Sequence, residues 1–301
     1  MADPLVSIIT INYNGFDYTS ALLNTLPLDN PQLEVVIVDN ASSNPKEALE
    51  LEHEYPKAKV IRSQLNLGFA GGNNLGVQHA HGQYLFFLNN DTEFPSDGWE
   101  QLQQLTGFLR QHPQVGVVCP KIRFAWEDHP IQFAGYTPLS PITMRNHSIG
   151  FGEKDQDQYN TSHPTPYAHG AAMLVKREAL ERAGLMPECF FLYYEELDWS
   201  MMFRRAGYEI WYNPSLTIYH KESATTGQNS PLRTYYITRN RLLFVRRNST
   251  SFVKRWLSYA YLMFLVAPRD VFRHLLACHP AHARSTLRGI YHFLRGRDGR
   301  L

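Results

Sequence analysis

Residues 6–15 read VSIITINYNG, a run of mostly β-branched residues that stops abruptly at a polar turn. Six such residues are too few for a helix, and their apolar character on both faces predicts an interior strand covered from two sides. The pattern returns at LEVVIVD (33–39), AKVIRS (58–63), QYLFFLN (83–89) and VGVVC (115–119). Between these runs, YTSALLNTL and GWEQLQQLTGFLRQH space their apolar residues as helices do. The alternation predicts an α/β fold: a doubly wound, mainly parallel sheet with helices on both faces.

Sheets of this kind gather ligands at the carboxyl ends of their strands. The residues at those ends are Asn12, Tyr13 and Asn14, then Asp39 and Asn40, then Asn66 to Ala70, then Asn89, Asn90 and Asp91. Ordinary turns also favour Asn, Asp and Gly. Four polar ends in one register nevertheless point to a shared site. A dehydrogenase would carry G-x-G-x-x-G directly after the first strand, where this chain reads NYNGFD.

The pattern loosens between 120 and 168, where Pro, Gly and polar residues predict an irregular segment with a hairpin. A strand at GAAMLVK (170–176) and a helix at EALERAG (178–184) follow, then the acidic stretch FLYYEELDWS (191–200), opening a helix through MMFRRAG. EIWY and LTIYH read as strands, and from about residue 231 the chain reads as helical in three pieces.

The 301 residues are 44% hydrophobic, enough for a large core, which excludes a disordered chain. A net charge of +1 conceals a division: residues 1–232 hold 15 Lys and Arg against 26 Asp and Glu, whereas residues 233–301 hold 14 against 2. The basic C-terminal quarter suits nucleic acid, an anionic lipid surface, a phosphorylated substrate or docking on the acidic body. Three scattered cysteines, Cys119, Cys189 and Cys278, form neither a disulfide framework nor a zinc knuckle. A start of MADPLVSIIT lacks the form of a signal peptide, and the apolar stretch 256–267 is too short to span a bilayer. The expectation is a cytoplasmic protein, lying at most peripherally on the inner face of the cell membrane, with no nucleic-acid partner.

Taken in order, VSIITINYNG, VIVDNASS, NLGFAGGNNLG, LFFLNNDT, HGAAMLVKREAL, FFLYYEELDWSMMFRRAGY, IYH and YYITRNRLLFVRR resemble the signature blocks of glycosyltransferase family 2, most closely its rhamnosyltransferase-like branch. The resemblance covers roughly residues 5 to 247. It implies a GT-A fold, a dTDP- or UDP-sugar donor, a divalent cation (Mg2+ or Mn2+) and inversion at the anomeric carbon. Residues 1–230 would form the catalytic domain, its nucleotide-binding half over 1–119 and its acceptor-side half over 120–230. A helical basic region would follow at 231–301. The implied reaction moves rhamnose or a hexose to a saccharide, or to one carried on a polyprenyl diphosphate, in cell-surface polysaccharide assembly. The alternative is a non-catalytic nucleotide- or glycan-binding assembly protein on a degenerate GT-A fold. A processive synthase would need membrane spans and a Q-x-x-R-W motif, and the single Arg-Trp pair, Arg255-Trp256, follows Phe-Val-Lys.

The resemblance assigns roles residue by residue. Asp39 would accept the ring N–H of uracil or thymine, and Thr10, Asn12, Tyr13 and Asn14 would line the same pocket; a turn or capping Asp is the other reading. The glycine-rich block, with Asn66, Gly68, Phe69, Ala70 and Asn73, would bring backbone amides to the diphosphate, and Asn90 and Arg239 would join it. In LFFLNNDT the family's D-x-D motif has become Asn89-Asn90-Asp91, so Asp91 binds the cation, Asn89 offers a neutral amide oxygen, and His220 of IYH completes the set. Glu196 occupies the place of the catalytic base. Glu195, Asp198, Trp199, His169 and Gly170 fall on the acceptor side, although Asp198 could equally start a helix.

Overall fold

The computed structural model describes residues 5–221 and 230–301; Met1–Pro4 of the N-terminal reading and the junction just before residue 231 lie outside them. In the first half β1 (Val6–Asn12), α1 (Phe16–Leu23), β2 (Leu33–Asp39), α2 (Lys46–Glu54), β3 (Lys59–Arg62), α3 (Gly68–His79) and β4 (Tyr84–Leu88) alternate. Next come β5 (Thr92–Glu93), α4 (Gly98–Gln111), β6 (Val115–Phe124), β7 (Ile131–Phe133), β8 (His163–Pro164), β9 (Ala172–Lys176) and α5 (Arg177–Ala183). Then α6 (Glu195–Arg205) and β10 (Glu209–His220) close the sheet. The remaining helices are α7 (Pro231–Asn248), α8 (Phe252–Ala260), α9 (Ala267–Leu276) and α10 (Pro280–Leu294).

The main path of the sheet runs β3-β2-β1-β4-β9-β6-β10-β5. Its first four strands are parallel, β9 runs antiparallel between β4 and β6, and β6 pairs parallel with β10. The sheet is therefore mixed. Register decides the site: Asn12 lies opposite Asp39, and Asp39 opposite Arg62, so three strand ends stop at one level. At the far edge β10 pairs with β5, placing His220 opposite Thr92, next to Asp91.

The looser middle contains the expected hairpin, β6 pairing antiparallel with β7. EIWY and LTIYH, read as separate strands, are one strand, β10, with a register shift between Tyr212 and Thr217. Asn213-Pro214-Ser215 at that shift explains the break in pattern, because Pro cannot donate to a ladder.

Glycines in α3 have a packing role. A Cβ on Gly72 would lie 2.8 Å from Ile11 Cδ1, and one on Gly76 only 2.4 Å from Ile9 Cγ2. They let the helix lie directly on β1 and β2, so the expectation that this run chiefly cradles a diphosphate is corrected for those two positions.

A main core fills both faces of the sheet. A second cluster joins Met144 and Phe190 to Leu242, Leu243, Phe244 and Val245 of α7 and to Leu262 and Val266 beyond it. α7 is thus an interior helix, started by Ser230, whose side chain accepts the Arg233 N–H, and by Pro231 in its first turn.

Candidate active site

Asp39 ends β2 fully buried. Its Oδ1 accepts a hydrogen bond from Asn12 Nδ2 at 3.1 Å. Oδ2 lies 3.6 Å from Arg62 Nε yet has no hydrogen-bond partner. A buried carboxylate oxygen left unpaired costs free energy unless a donor arrives, and a ligand N–H is such a donor. Asn12 is the hub behind it, its Nδ2 also donating to Ser42 Oγ (3.1 Å) and Glu47 Oε2 (2.9 Å) while its Oδ1 accepts from Thr19 Oγ1 (2.7 Å). Asn90 Nδ2 donates to the same threonine oxygen at 3.0 Å. Asn12 therefore positions the site from within, its amide fully engaged, and Asn90 is tethered to the same network through Thr19. Thr10 Oγ1 is buried without a partner. Tyr13 is exposed, and Asn14, at φ 51°, ties the β1 turn to the β2 turn through its N–H to Ser42 Oγ and its Oδ1 to the Ser43 N–H.

The turn into α3 is built by Asn40 and Asn66. Asn40 Oδ1 accepts the Leu67 N–H at 2.9 Å and its Nδ2 donates to Gly68 O at 3.0 Å, while Asn66 Oδ1 accepts the Gly68 N–H. Gly68 has φ +73°, and a Cβ there would meet Phe191 O at 2.3 Å. Directly after it, the Phe69 N–H donates to that same carbonyl at 2.9 Å. The donor-side turn and the acidic block are thus in contact. Asn73 Nδ2 donates to Phe69 O, and Ala70 is buried.

At the other strand ends, Asp91 and His220 converge in a buried pair, Oδ1 to Nε2 at 3.1 Å. Gln132 Oε1 lies 2.8 Å from the other ring nitrogen, Nδ1. Asn89 is held by its N–H to Ala171 O at 2.9 Å, which brings the 169–171 turn alongside. His169 Nδ1 accepts the Ala171 N–H, and its ring stands 6.5 Å from that of His220. Burial first, and the neighbouring His220 second, push His169 down to about 3, so it is a neutral imidazole. Gly170 is next: a Cβ there would sit 3.7 Å from Glu196 Cγ and 3.8 Å from the Phe69 ring. One short turn therefore neighbours both the Asp91–His220 pair, through Asn89 and His169, and Glu196, through Gly170.

Glu195 and Glu196 open α6. Burial raises Glu196 to about 7, against the backbone N–H groups of Glu196 and Leu197, which donate to its carboxylate. Glu195 is buried with Oε2 unpartnered, and burial, then the charge of Glu196, holds its carboxyl well above the usual range. Glu196 therefore titrates where a general base is most effective.

The lead-in to these acids is strained: Phe191, Tyr193 and Tyr194 all have positive φ (67°, 66° and 78°). Such conformations persist only when surroundings hold them. Asn240 Nδ2 does so by donating to the carbonyls of Phe190 (2.9 Å), Leu192 (2.6 Å) and Tyr193 (2.9 Å). Sequence reasoning missed Asn240; the signal was an amide set beside RLLFV, a buried apolar run. It also missed Asn74, whose side chain pairs with Met186 N and O and with Glu188 Oε1 across to the acidic block.

Three expected ligand contacts are structural instead. Arg239 is 1% exposed, its guanidinium donating to Phe190 O (2.8 Å) and Gly299 O (2.7 Å) and lying over the rings of Tyr235 and Tyr236, so no diphosphate reaches it. Asp198 is fully buried and clamps Arg247 (2.9 Å) and Asn248 of α7, which removes it from the acceptor side. Trp199 packs edge-on against Phe87 and donates to Gly184 O, so its ring has no free face for a sugar.

The architecture is shared with solved glycosyltransferases. A mannosyltransferase, PcManGT from Pyrobaculum calidifontis in complex with GDP-Man and Mn2+, superposes with a TM-score of 0.59 over 99% of this chain and 89% of that one, at 17% identity. GalNAc-T7 with UDP, GalNAc and Mn2+ gives 0.59 over 90% of this chain and 58% of its own, at 15% identity. The fold is thus of the GT-A type. Residues 7–184 match the family described as Glycosyl transferase family 2, and the chain belongs to that family and is a glycosyltransferase. Among relatives, the low-salt glycan biosynthesis hexosyltransferase Agl10 of Haloferax volcanii is 25% identical over 100% of this chain and 94% of its own length. An N-acetylglucosaminyl-diphospho-decaprenol L-rhamnosyltransferase of Mycobacterium tuberculosis is 21% identical over 75% of this chain and 78% of its own. Both are distant.

Proposed function

We propose that this protein is an inverting transferase that moves rhamnose or a hexose from a dTDP- or UDP-sugar to a saccharide, free or carried on a polyprenyl diphosphate, in cell-surface polysaccharide assembly. The observation that carries the reading is the 169–171 turn, which neighbours the Asp91–His220 pair through Asn89 and His169 and neighbours Glu196 through Gly170. An inverting displacement needs both groups near one sugar: the diphosphate departs on one face while the acceptor attacks from the other.

Asp39 Oδ2 supplies the acceptor for the imide N–H of uracil or thymine. Glu196 takes the proton from the attacking hydroxyl, and Glu195, its own carboxyl raised by burial and by the charge of Glu196, stands beside it. His169 and Gly170 shape the floor, the missing Cβ of Gly170 leaving room against Glu196 and Phe69. Residues 1–230 form the catalytic domain in this reading, 1–119 serving the nucleotide and 120–230 the acceptor, with 231–301 as a basic helical region.

The residues fit a divalent cation. His220 Nδ1 lies against Gln132 Oε1 and Nε2 against Asp91 Oδ1; in the tautomer that gives its Nδ1 proton to Gln132, Nε2 would offer a lone pair beside the Asp91 carboxylate, and a shared cation would satisfy both. Carboxylate plus imidazole suits Mn2+ better than Mg2+, and Asn89 stands beside them. Among the described residues no three His, Cys, Asp or Glu gather into a closed cage. Bound there, the metal supplies positive charge to the leaving diphosphate.

The test is a melting panel of UDP, dTDP and GDP with and without Mn2+, followed by sugar transfer and donor hydrolysis. Stabilisation by UDP or dTDP that grows with Mn2+ is expected. Binding without turnover of any UDP- or dTDP-sugar would leave the non-catalytic reading, and a shift by GDP alone would overturn the base assignment.

A further inference from the structure

Nine large apolar side chains between residues 252 and 276 are at least 49% exposed, with Phe264 at 76% and Phe252 at 71%. Scattered apolar residues on a surface need no explanation, but a dense group of them does. On α8 the orientation is reversed from that of an ordinary surface helix: Phe252 and Trp256 face outward, and the buried residue is Ser258, whose hydroxyl donates to Pro141 O at 3.0 Å.

α8 passes into α9 without a break, through a π-helical stretch, Tyr261–Val266. Its wider turns take in about one extra residue and so rotate α9 back by about 100° relative to α8. In an uninterrupted α-helix, Phe272 and Leu276 would point well over a quarter-turn away from Phe252 and Trp256. The π turn takes up about 100° of that angle and brings them to within about a quarter-turn, on one broad outer face, while Leu262 and Val266 stay inward in the cluster that also holds Phe190 and Met144. The result is one apolar stripe along the whole rod.

Lys254, Arg269 and Arg273 border this stripe, and the single acid on the rod, Asp270, is bound to Arg269. A second copy docking here would press these cations against their own equivalents. Anionic headgroups answer the cations, and acyl chains accept the apolar side chains, as for helices lying in the membrane interface. No described helix is long and apolar enough to cross a membrane.

We infer that the α8–π–α9 rod is a monotopic membrane anchor that lies in the interface of an anionic bilayer. The inference rests on the transferase reading only for its purpose: the inner side of the rod packs on the cluster beneath Phe190 and Tyr194, so a lipid-carried acceptor and Glu196 lie within one molecule's thickness.

The test is co-sedimentation of the full chain with vesicles of phosphatidylcholine alone or mixed with phosphatidylglycerol. Binding to the mixed vesicles, weakened by salt, is expected, with at least ~10-fold less bound in a Phe252→Asp/Phe264→Asp variant, because each charge must be buried in the interface. These side chains are exposed, and an unchanged melting temperature and UDP-induced shift would certify the variant's fold. Wild-type protein left in the supernatant, equal binding by the variant, or a dimer that the substitutions split would each overturn the anchor. Vesicle binding without sugar transfer would keep the anchor and remove the transferase.

Discussion

Glu196 is where the chemistry can be tested one atom at a time. Glu196→Gln keeps the volume and removes the base, so transfer should fall at least ~10²-fold while the nucleotide-induced melting shift stays. With its carboxyl held near 7 by burial, Glu196 is mostly protonated at pH 6, and the transfer rate should climb between pH 6 and 8 to a plateau. Stability runs the other way. A folded-state value above the unfolded one means that the stabilisation is complete below about pH 4.5 and is lost as pH rises through about 7. A rate profile flat across that window, or a normal rate in the Gln variant, removes Glu196 as the base. Asp39→Ala should cost about 10-fold or more in UDP affinity by calorimetry, the value of a charge-assisted hydrogen bond. These two acids were legible in the sequence because each ends or begins an element at a fixed place. Arg239, Asp198 and Trp199 were misread because side-chain direction, not position, decides whether a residue meets ligand or core.

Among the elements, α3 and α7 do most to shape the site. Gly76→Ala would press a methyl group onto Ile9 Cγ2, and overpacking of that kind costs about 1–3 kcal/mol. A chemical melt should register it with nucleotide affinity little changed, since the contact is with the sheet's interior. Asn240→Ala frees three carbonyls of the strained 190–193 segment, with an expected loss of about 2 kcal/mol or more. Here kcat should fall along with stability, because the released turn carries Glu195 and Glu196. The strands and helices of the first half were readable because burial on two faces imposes continuous apolar runs. β10 was split in two because Asn213-Pro214-Ser215 imitates a turn, and its continuity depends on pairing with β6, which is a tertiary fact.

For the molecule as a whole, the division of charge read from the sequence has a structural counterpart: the acidic body holds the sheet, and the basic quarter includes both a buried helix, α7, and an outward rod, with α10 beyond them. Charge counts alone could not separate α7 from the rod, because Arg239 is buried while Arg269 and Arg273 face out. The Asp91–His220 pair is likewise a product of the complete fold, joining residues 129 positions apart. Asp91→Ala should abolish the Mn2+-dependent part of the UDP shift and leave the metal-free part. The contact of Arg239 with Gly299 O extends this dependence to the far end of the numbering, where the Gly299 N–H reaches Cys189 O and the Leu301 N–H reaches the Tyr236 hydroxyl. Gly299 and Leu301 thus tie α7 to the segment that leads into Glu195 and Glu196. Cutting these ties would slacken a segment that lies about a hundred positions upstream.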